Sequence, residues 1–424
     1  MILLSLPGWT ATLINDTETE ELIYELVKPL ADAAGIPGGR LKIHILNDDT
    51  FNAFVAGGED VYVNTGLIMK IKNPDAFQAV IAHELGHMQG GHMAQMADRI
   101  SAEMKRTMLI QALGVGLMVA GGDPSMGAGV LAGAGGVAQQ SVMAFTRDEE
   151  RIADNMGFDL MVNASQNPKG FITVFEQMYD MTGAAEEKIN PNHVNHPLTT
   201  ERLNNIKSRM QNLDAPTDVS ADVAARRNAE FELVRAKLIG YIERDGRIRE
   251  LYPYTDKSDA ALYARAIANM RGGNLDGARM GAMTLISRKP KNPYFLELLG
   301  DIEYQFGHYD DSVRAYERAL DILDNAPQVE TALALVLAER NKPDDNARAI
   351  ELCKRAILNT PMPMAYWVLA RAYGEDDAGR HAWAMAEYYK MIGKDSDAKQ
   401  YAKRAQKHLK KTDAEYIKAG DIIK

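Results

Sequence analysis

Asn73-Pro74-Asp75-Ala76-Phe77-Gln78-Ala79-Val80-Ile81-Ala82-His83-Glu84-Leu85-Gly86-His87 is the stretch that decides the fold. Asn caps a helix and Pro is tolerated in its first turn, so a helix is expected to begin here. Phe77, Val80, Ile81 and Leu85 recur at helical spacing and carry the expected helix to about Ile100. His83 and His87, one turn apart, then share a face and can aim imidazole nitrogens at one zinc ion. Glu84 lies to the side, where its carboxylate can accept a proton from a water attacking a peptide carbonyl and return it to the leaving amine. Gly86 permits close packing behind this face. The bland alternative is a pair of core histidines, which would have no use for a carboxylate between them.

A catalytic zinc site takes a third protein ligand and leaves its fourth position to water. The residue ten positions after His83 is Met93, and His92 falls off the ligand face, which suits a supporting residue. Glu150 is the better candidate, in Arg147-Asp148-Glu149-Glu150-Arg151-Ile152-Ala153-Asp154. Asp154 follows one turn later, where a carboxylate can accept an imidazole N–H and fix the tautomer. Glu149 is a rival ligand, Asp148 a more distant one, and a solvated charge run the plain alternative. His196, in Asn195-His196-Pro197-Leu198-Thr199-Thr200-Glu201-Arg202, can stabilise an oxyanion or bind the zinc itself when substrate is absent. Arg202 would pair with the acidic helix or hold the loop. His193 is the alternative to His196, and a capped surface loop is the bland reading of both.

The remaining chain sets the frame. Its 424 residues exceed what one core usually supports, and 46% hydrophobic with 25% charged residues is ordinary for a folded protein. A net charge of -10 and the absence of a basic face argue against nucleic acid as a partner. Cys353 is the single cysteine, which excludes an internal disulfide and any multi-cysteine metal site. Met1 to Leu6 is too short and lacks the charge of a complete signal peptide, but fits the tail of one. Residues 17–34 are expected to be helical, with Thr17 and Glu20 as a capping box. Leu41 to Leu46, Phe51 to Val55 and Val61 to Val63 are expected to form a small sheet, with a hairpin at Gly57-Gly58 whose edge can align an extended substrate.

Between Thr107 and Thr146 the only charged residue is Asp123, among nine glycines. This segment is expected to be a buried apolar helical hairpin, with a covering flap, peripheral membrane contact or a membrane hairpin as alternatives. Helices are expected at 148–163, 169–181, 198–213 and 222–242. From about 259 the texture becomes that of a repeat array. In the frame from Pro293, Leu296, Leu299, Gly300, Gly307, Tyr316 and Ala319 match a tetratricopeptide pattern, and with the weaker frames before and after it four or five helix pairs are expected in all. The expected fold is mainly α with a small β-sheet: a zincin-type α+β domain over 1–250, then an α-helical tetratricopeptide solenoid over 259–424.

Five motifs stand in order: Asn52-Ala53-Phe54 with Gly57-Gly58 and Thr65-Gly66-Leu67; His83 to His87 with His92; Arg147 through Asp154; His196-Pro197 with Arg202; and the repeats. In these the chain resembles the zinc peptidases that include the CAAX prenyl endopeptidases and HtpX, and within them the periplasmic, repeat-bearing BepA type. The resemblance covers most of the chain. It implies one zinc ion held by His83, His87 and Glu150, Glu84 as general base, Asp154 as support, and Asn52, Ala53 and Phe54 receiving substrate by strand addition. It also implies that His196 caps the zinc in a latent state, that the protein is periplasmic, and that its repeats engage clients or the outer-membrane protein assembly machinery. Integral-membrane relatives carry clear spanning helices, whereas 107–146 is shorter and rich in glycine, which favours a soluble or peripheral protein. The expected function is cleavage of misfolded or stalled envelope proteins. The alternative is a chaperone or adaptor that works mainly through its repeats, with a latent zinc site.

Overall fold

Short apolar runs near the start of the chain form strands. β1 (Ile2–Ser5) pairs antiparallel with β2 (Thr12–Asn15), with Leu3 opposite Ile14, and β2 pairs antiparallel with residues of β3 (Lys42–Asn47). Sequence periodicity misses β1 and β2 because four residues carry too little of it. The computed structural model describes residues 2–5, 12–37, 40–56, 60–92, 95, 146–183, 196, 199–213 and 219–424. The Gly57-Gly58 turn, the 107–146 segment apart from Thr146, and His193 lie outside the described residues. Helix α1 (Thr17–Ala33) starts one residue earlier in its cap than expected. Asp16, not Thr17, is the cap: its Oδ2 accepts from Thr19 N at 3.1 Å, and its own N–H donates to Glu20 at 2.9 Å.

Two compact units make up the chain, Ile23–Ile43 with Phe51–Asn228 and Met1–Leu22 with His44–Thr50 and Ala229–Lys424. In the first, β4 (Ala53–Ala56) and β5 (Asp60–Asn64) form an antiparallel hairpin, with Phe54 stacked on Tyr62 at 4.8 Å between ring centroids. After α2 (Thr65–Lys70) comes α3 (Pro74–Gln89), capped by Asn73, whose side chain accepts from Ala76 N at 2.8 Å. This helix ends at Gly90, well short of the expected Ile100, and Gly91 takes a positive φ of 68°. That left-handed turn, which glycine adopts without a steric penalty, brings His92 back toward α3.

Helices α4 (Arg147–Asn163), α5 (Lys169–Gly183) and α6 (Thr200–Gln211) complete this unit's site. Two glycines let α3 and α4 touch through their backbones. A Cβ on Gly86 would stand 2.5 Å from the Ala153 carbonyl oxygen, and one on Gly157 would stand 2.8 Å from that of Ala82. Only glycine fits at these crossings. They set Glu150 and Asp154 against the histidines of α3.

Next in sequence are α7 (Ala221–Ile242), which runs through the division at Ala229, and α8 (Asp245–Leu251). Five helix pairs follow in the other unit: α9 (Asp259–Arg271) and α10 (Leu275–Arg288), α11 (Pro293–Gln305) and α12 (Tyr309–Leu320), α13 (Pro327–Arg340) and α14 (Asp345–Asn359), α15 (Pro363–Tyr373) and α16 (Ala378–Met391), α17 (Asp395–His408) and α18 (Ala414–Ile423). Their apolar cores form two main clusters, one reaching from Leu233 to Ile302 and one from Leu296 to Ile422, with Ile286 packed against both, as expected when one pair cannot bury its own face. Tyr316 fills the space over Gly300, where a Cβ would meet its ring at 2.7 Å. Within this unit Lys237 is buried among carboxylates, with Asp16 at 2.5 Å, Glu18 at 3.3 Å and Glu297 at 3.5 Å. Among the described residues no helix is long and apolar enough to cross a membrane.

Candidate metal centre

His83 and His87 are buried on α3, and their Nε2 atoms lie 3.0 Å apart. Glu150, fully buried on α4, brings Oε2 to 3.4 Å from His83 Nε2 and Oε1 to 3.4 Å from His87 Nε2. His196 Nδ1 is 3.2 Å from His83 Nε2 and 2.8 Å from Glu150 Oε1. Three imidazole nitrogens and one carboxylate oxygen thus lie within 4.8 Å of one another. A tetrahedral zinc site with bonds of about 2.0–2.1 Å has ligand atoms roughly 3.3 Å apart, so these separations fit the donor shell of a single ion.

Tautomers support the same fit. His83 Nδ1 lies 2.9 Å from Asp154 Oδ1, and a carboxylate accepts, so the neutral ring carries its hydrogen on Nδ1 and turns the Nε2 lone pair inward. Asp154 is held in turn by Arg202, through Nε at 2.6 Å and Nη2 at 2.7 Å. Arg202 Nη1 is also 2.6 Å from Glu150 Oε2, a contact at ion-pair distance without well-aligned hydrogen-bond geometry. The guanidinium stacks 5.2 Å above the Phe175 ring. His87 Nδ1 meets His92 Nδ1 at 3.0 Å.

Charge follows from burial and these partners. Burial would lower His83, but hydrogen bonds to Asp154 and Glu150 outweigh it and carry the imidazole up to about 9. His87, lowered chiefly by burial and then by the neighbouring imidazoles against the pull of Glu150, falls to about 4. A divalent cation held by the two Nε2 atoms would displace the extra proton of His83. Burial acts against the charged form of Glu150, yet hydrogen bonds from His196, His83 and His87 hold its carboxyl well below the usual range. Asp154 is lowered in the same manner, burial being overcome by Arg202 and His83. Glu84 moves the other way: burial raises it, with His196 and His83 opposing. Its Oε1 lies 3.4 Å from His196 Nε2, beside the donor cluster and outside it.

The three consecutive acidic residues of α4 are sorted by local chemistry. Thr146 and Glu149 form a capping box, with Glu149 N donating to Thr146 Oγ1 at 3.2 Å and Thr146 N to Glu149 at 2.8 Å. Asp148 is exposed and pairs with Arg151. Only Glu150 turns toward the histidines. The pattern Thr-x-x-Glu ahead of α4 carries this signal, and the sequence reading passes over it. It also passes over Gly157 and Phe175, whose roles depend on packing between helices distant in sequence. Asn52 and Ala53 line a cleft with Glu84, while the Phe54 ring lies on Tyr62 and is not among the cleft's lining residues.

Residues 17–210 match the model of peptidase family M48. The chain is 24% identical over 396 residues to the beta-barrel assembly-enhancing protease of Escherichia coli (strain K12), covering 91% of this chain and 78% of that one. It is 27% identical over 187 residues to the mitochondrial metalloendopeptidase OMA1 of Saccharomyces cerevisiae, covering 42% and 49%. Among solved structures, yeast Tom70 aligns with a TM-score of 0.36 and 12% identity, covering 95% of this chain and 76% of that one, which is too weak a likeness to argue from. The match spans every residue of the donor cluster, and the likeness to the assembly-enhancing protease extends through the repeats, so the protein is a zinc metallopeptidase similar to those proteases over most of its length.

Proposed function

We propose that this chain is a latent endopeptidase of the periplasm that cleaves misfolded or stalled envelope proteins. His83, His87 and Glu150 would hold its one zinc ion, and His196 would fill the remaining position at rest. Zinc bound there supplies a Lewis acid that polarises the scissile carbonyl and lowers the pKa of water to about 7. Glu84 accepts the proton of the attacking water and delivers it to the leaving amine. Asp154, gripped by Arg202, and His92 keep the two imidazoles turned toward the ion. Substrate backbone adds along β4 at Asn52, Ala53 and Phe54. Among the described residues β4 pairs with β5 alone, which supports strand addition at its other edge.

The observation that carries this reading is the placement of Glu84 beside a complete donor set that already includes His196. Residues 1–250 are read as the peptidase domain and 259–424 as the part that takes up clients or meets the beta-barrel assembly machinery, in keeping with the name of the E. coli relative. The segment 107–146 is a candidate for peripheral membrane contact. The test is substitution. Glu84→Gln should abolish casein cleavage while zinc content stays at wild type, and unchanged cleavage would refute the mechanism. His196→Ala should raise a low basal rate; an unaltered or abolished rate would leave oxyanion stabilisation as the role of His196. Its position in the donor cluster also favours a second reading, an adaptor whose zinc site stays closed, under which Glu84→Gln would leave client processing in cells intact.

A further inference from the structure

The last helix pair breaks the charge pattern of the chain. Net charge is -10 overall, and for that reason composition shows no basic face. Yet no acidic residue stands between Asp397 and Asp413, while Lys399, Lys403, Arg404, Lys407, Lys410 and Lys411 all fall there. Buried Ala398, Ala402 and Ala405 mark the packed face of α17. Lys399, Lys403 and Lys407 recur every four residues on its exposed side, over about 12 Å of helix axis. Arg404 is exposed beside them, and Lys410 and Lys411 continue the row into the turn before α18. Among the described residues, none of these six side chains has an ion-pair partner.

Charges on the earlier pairs behave differently. Asp259 meets Arg288 at 2.9 Å and Lys289 at 3.1 Å, Glu317 meets Arg348 at 2.6 Å, and Asp311 pairs with Arg314. A terminal repeat needs a polar outer face for solubility, and mixed signs supply one without self-repulsion. Lys407, in the last turn, also suits the helix dipole. Neither reason calls for a row of one sign through the middle of α17.

We propose that this stripe seats the protein on the anionic phospholipid surface of a membrane. Lipid phosphates supply the complementary charge. Five of the six cations are lysine, which is depleted at protein interfaces where arginine is enriched, so the row fits a diffuse anionic surface better than an acidic protein. The acidic remainder of the chain is repelled by such a surface, which confines the contact to this pair and so orients the protein. An apolar side chain stands beside the stripe: Gln406 donates to the carbonyl oxygen of Tyr416 at 3.2 Å, and the next residue, Ile417, is 60% exposed. A basic row with one apolar neighbour makes a reversible contact that lies on the surface. None of these residues belongs to the donor cluster, so the proposal stands apart from the peptidase reading.

The test is co-sedimentation of the full chain with vesicles of phosphatidylcholine containing about 30% phosphatidylglycerol, beside vesicles of phosphatidylcholine alone. Binding is expected to the anionic vesicles only, and should vanish at about 0.5 M salt, where charges are screened within about 4 Å. Each lysine near an anionic surface is worth about a fivefold gain, so Lys399→Gln, Lys403→Gln and Lys407→Gln together should lower the partition coefficient about 100-fold. The same three positions changed to Arg should bind as wild type does. Tm and casein cleavage of both triple variants should match wild type, because none of the three side chains has an ion pair to lose. Wild-type protein left in the supernatant by anionic vesicles overturns the proposal; labelled polyglutamate that then binds wild type and not the glutamine variant assigns the stripe to an acidic protein segment instead. Equal binding by wild type and the folded glutamine variant also overturns it and moves the membrane contact to the 107–146 candidate. Loss of binding in the folded arginine variant overturns it too, since charge alone is then not what binds.

Discussion

Gly86→Ala is the smallest change that should loosen the metal centre without touching a ligand. The new Cβ would stand 2.5 Å from the Ala153 carbonyl oxygen and 3.1 Å from the Ala153 C and Cα atoms. These are backbone atoms, so no side chain can rotate away. Ordinary contact begins at 3.4 Å, and the helices must therefore part by about 0.9 Å. Glu150 lies one turn before Ala153, so its 3.4 Å separations from His83 and His87 would open to about 4.3 Å, beyond the roughly 3.3 Å edge of a zinc tetrahedron. Stability alone is a poor readout, because overpacking costs about 1–3 kcal/mol while replacing Gly by Ala in a helix returns up to about 1 kcal/mol. Zinc affinity is the sharper one and should fall about 10- to 100-fold, as for other residues that position ligands. Competition against a chromophoric chelator measures it, with circular dichroism and Tm of the metal-free protein reporting the fold. Wild-type affinity in a folded Gly86→Ala protein would refute the claim that helix contact sets the carboxylate.

Arg202→Lys removes the two-pronged hold on Asp154 and leaves two buried carboxylates with a less suitable cation. Stability should drop by about 3 kcal/mol and zinc affinity by more than tenfold, read by denaturant titration and chelator competition; a variant equal to wild type in both would show the clamp to be idle. A second prediction concerns pH and the cluster around Lys237. One ammonium faces Asp16, Glu18 and Glu297: Asp16 is lowered, chiefly because Lys237 overcomes its burial, whereas burial pushes Glu18 up to about 7 and raises Glu297 as well. A carboxyl with a raised pKa binds its proton more tightly in the folded state, so its contribution is fully present below about 4.5 and is lost as pH climbs through about 7. For Glu18 this amounts to about 3 kcal/mol. Glu18→Gln, which can still accept from the Tyr263 hydroxyl, should flatten the decline in unfolding free energy between pH 5 and 8. A decline of the same slope in the variant would assign the effect elsewhere.

The helix carrying His83 and His87 was legible because everything that specifies it is local: an Asn cap, a Pro in the first turn, and apolar spacing on one face. The helix pairs were legible for a similar reason, since Pro293 starts a pair in which Gly300 and Tyr316 make a small-against-large fit. What the sequence did not yield was closure between distant segments. His83 and Asp154 are 71 positions apart, and His196 meets His83 across 113. No periodicity records such a meeting, because it depends on how closely two helices approach. The approach is written in Gly86 and Gly157, but as an absence of atoms, which has no pattern of its own. Glu150 is an intermediate case. Three acidic residues in a row cannot be ranked by charge, yet Thr146 claims the one three places later for its cap, and helix geometry then leaves Glu150 and Asp154 facing the histidines together. The capping pattern Thr146-x-x-Glu149 thus separates Glu149 from Glu150 within the sequence itself. Local satisfaction of backbone groups thus constrains which side chains are left over for chemistry, and candidate ligands at the start of a helix are best sorted in that order.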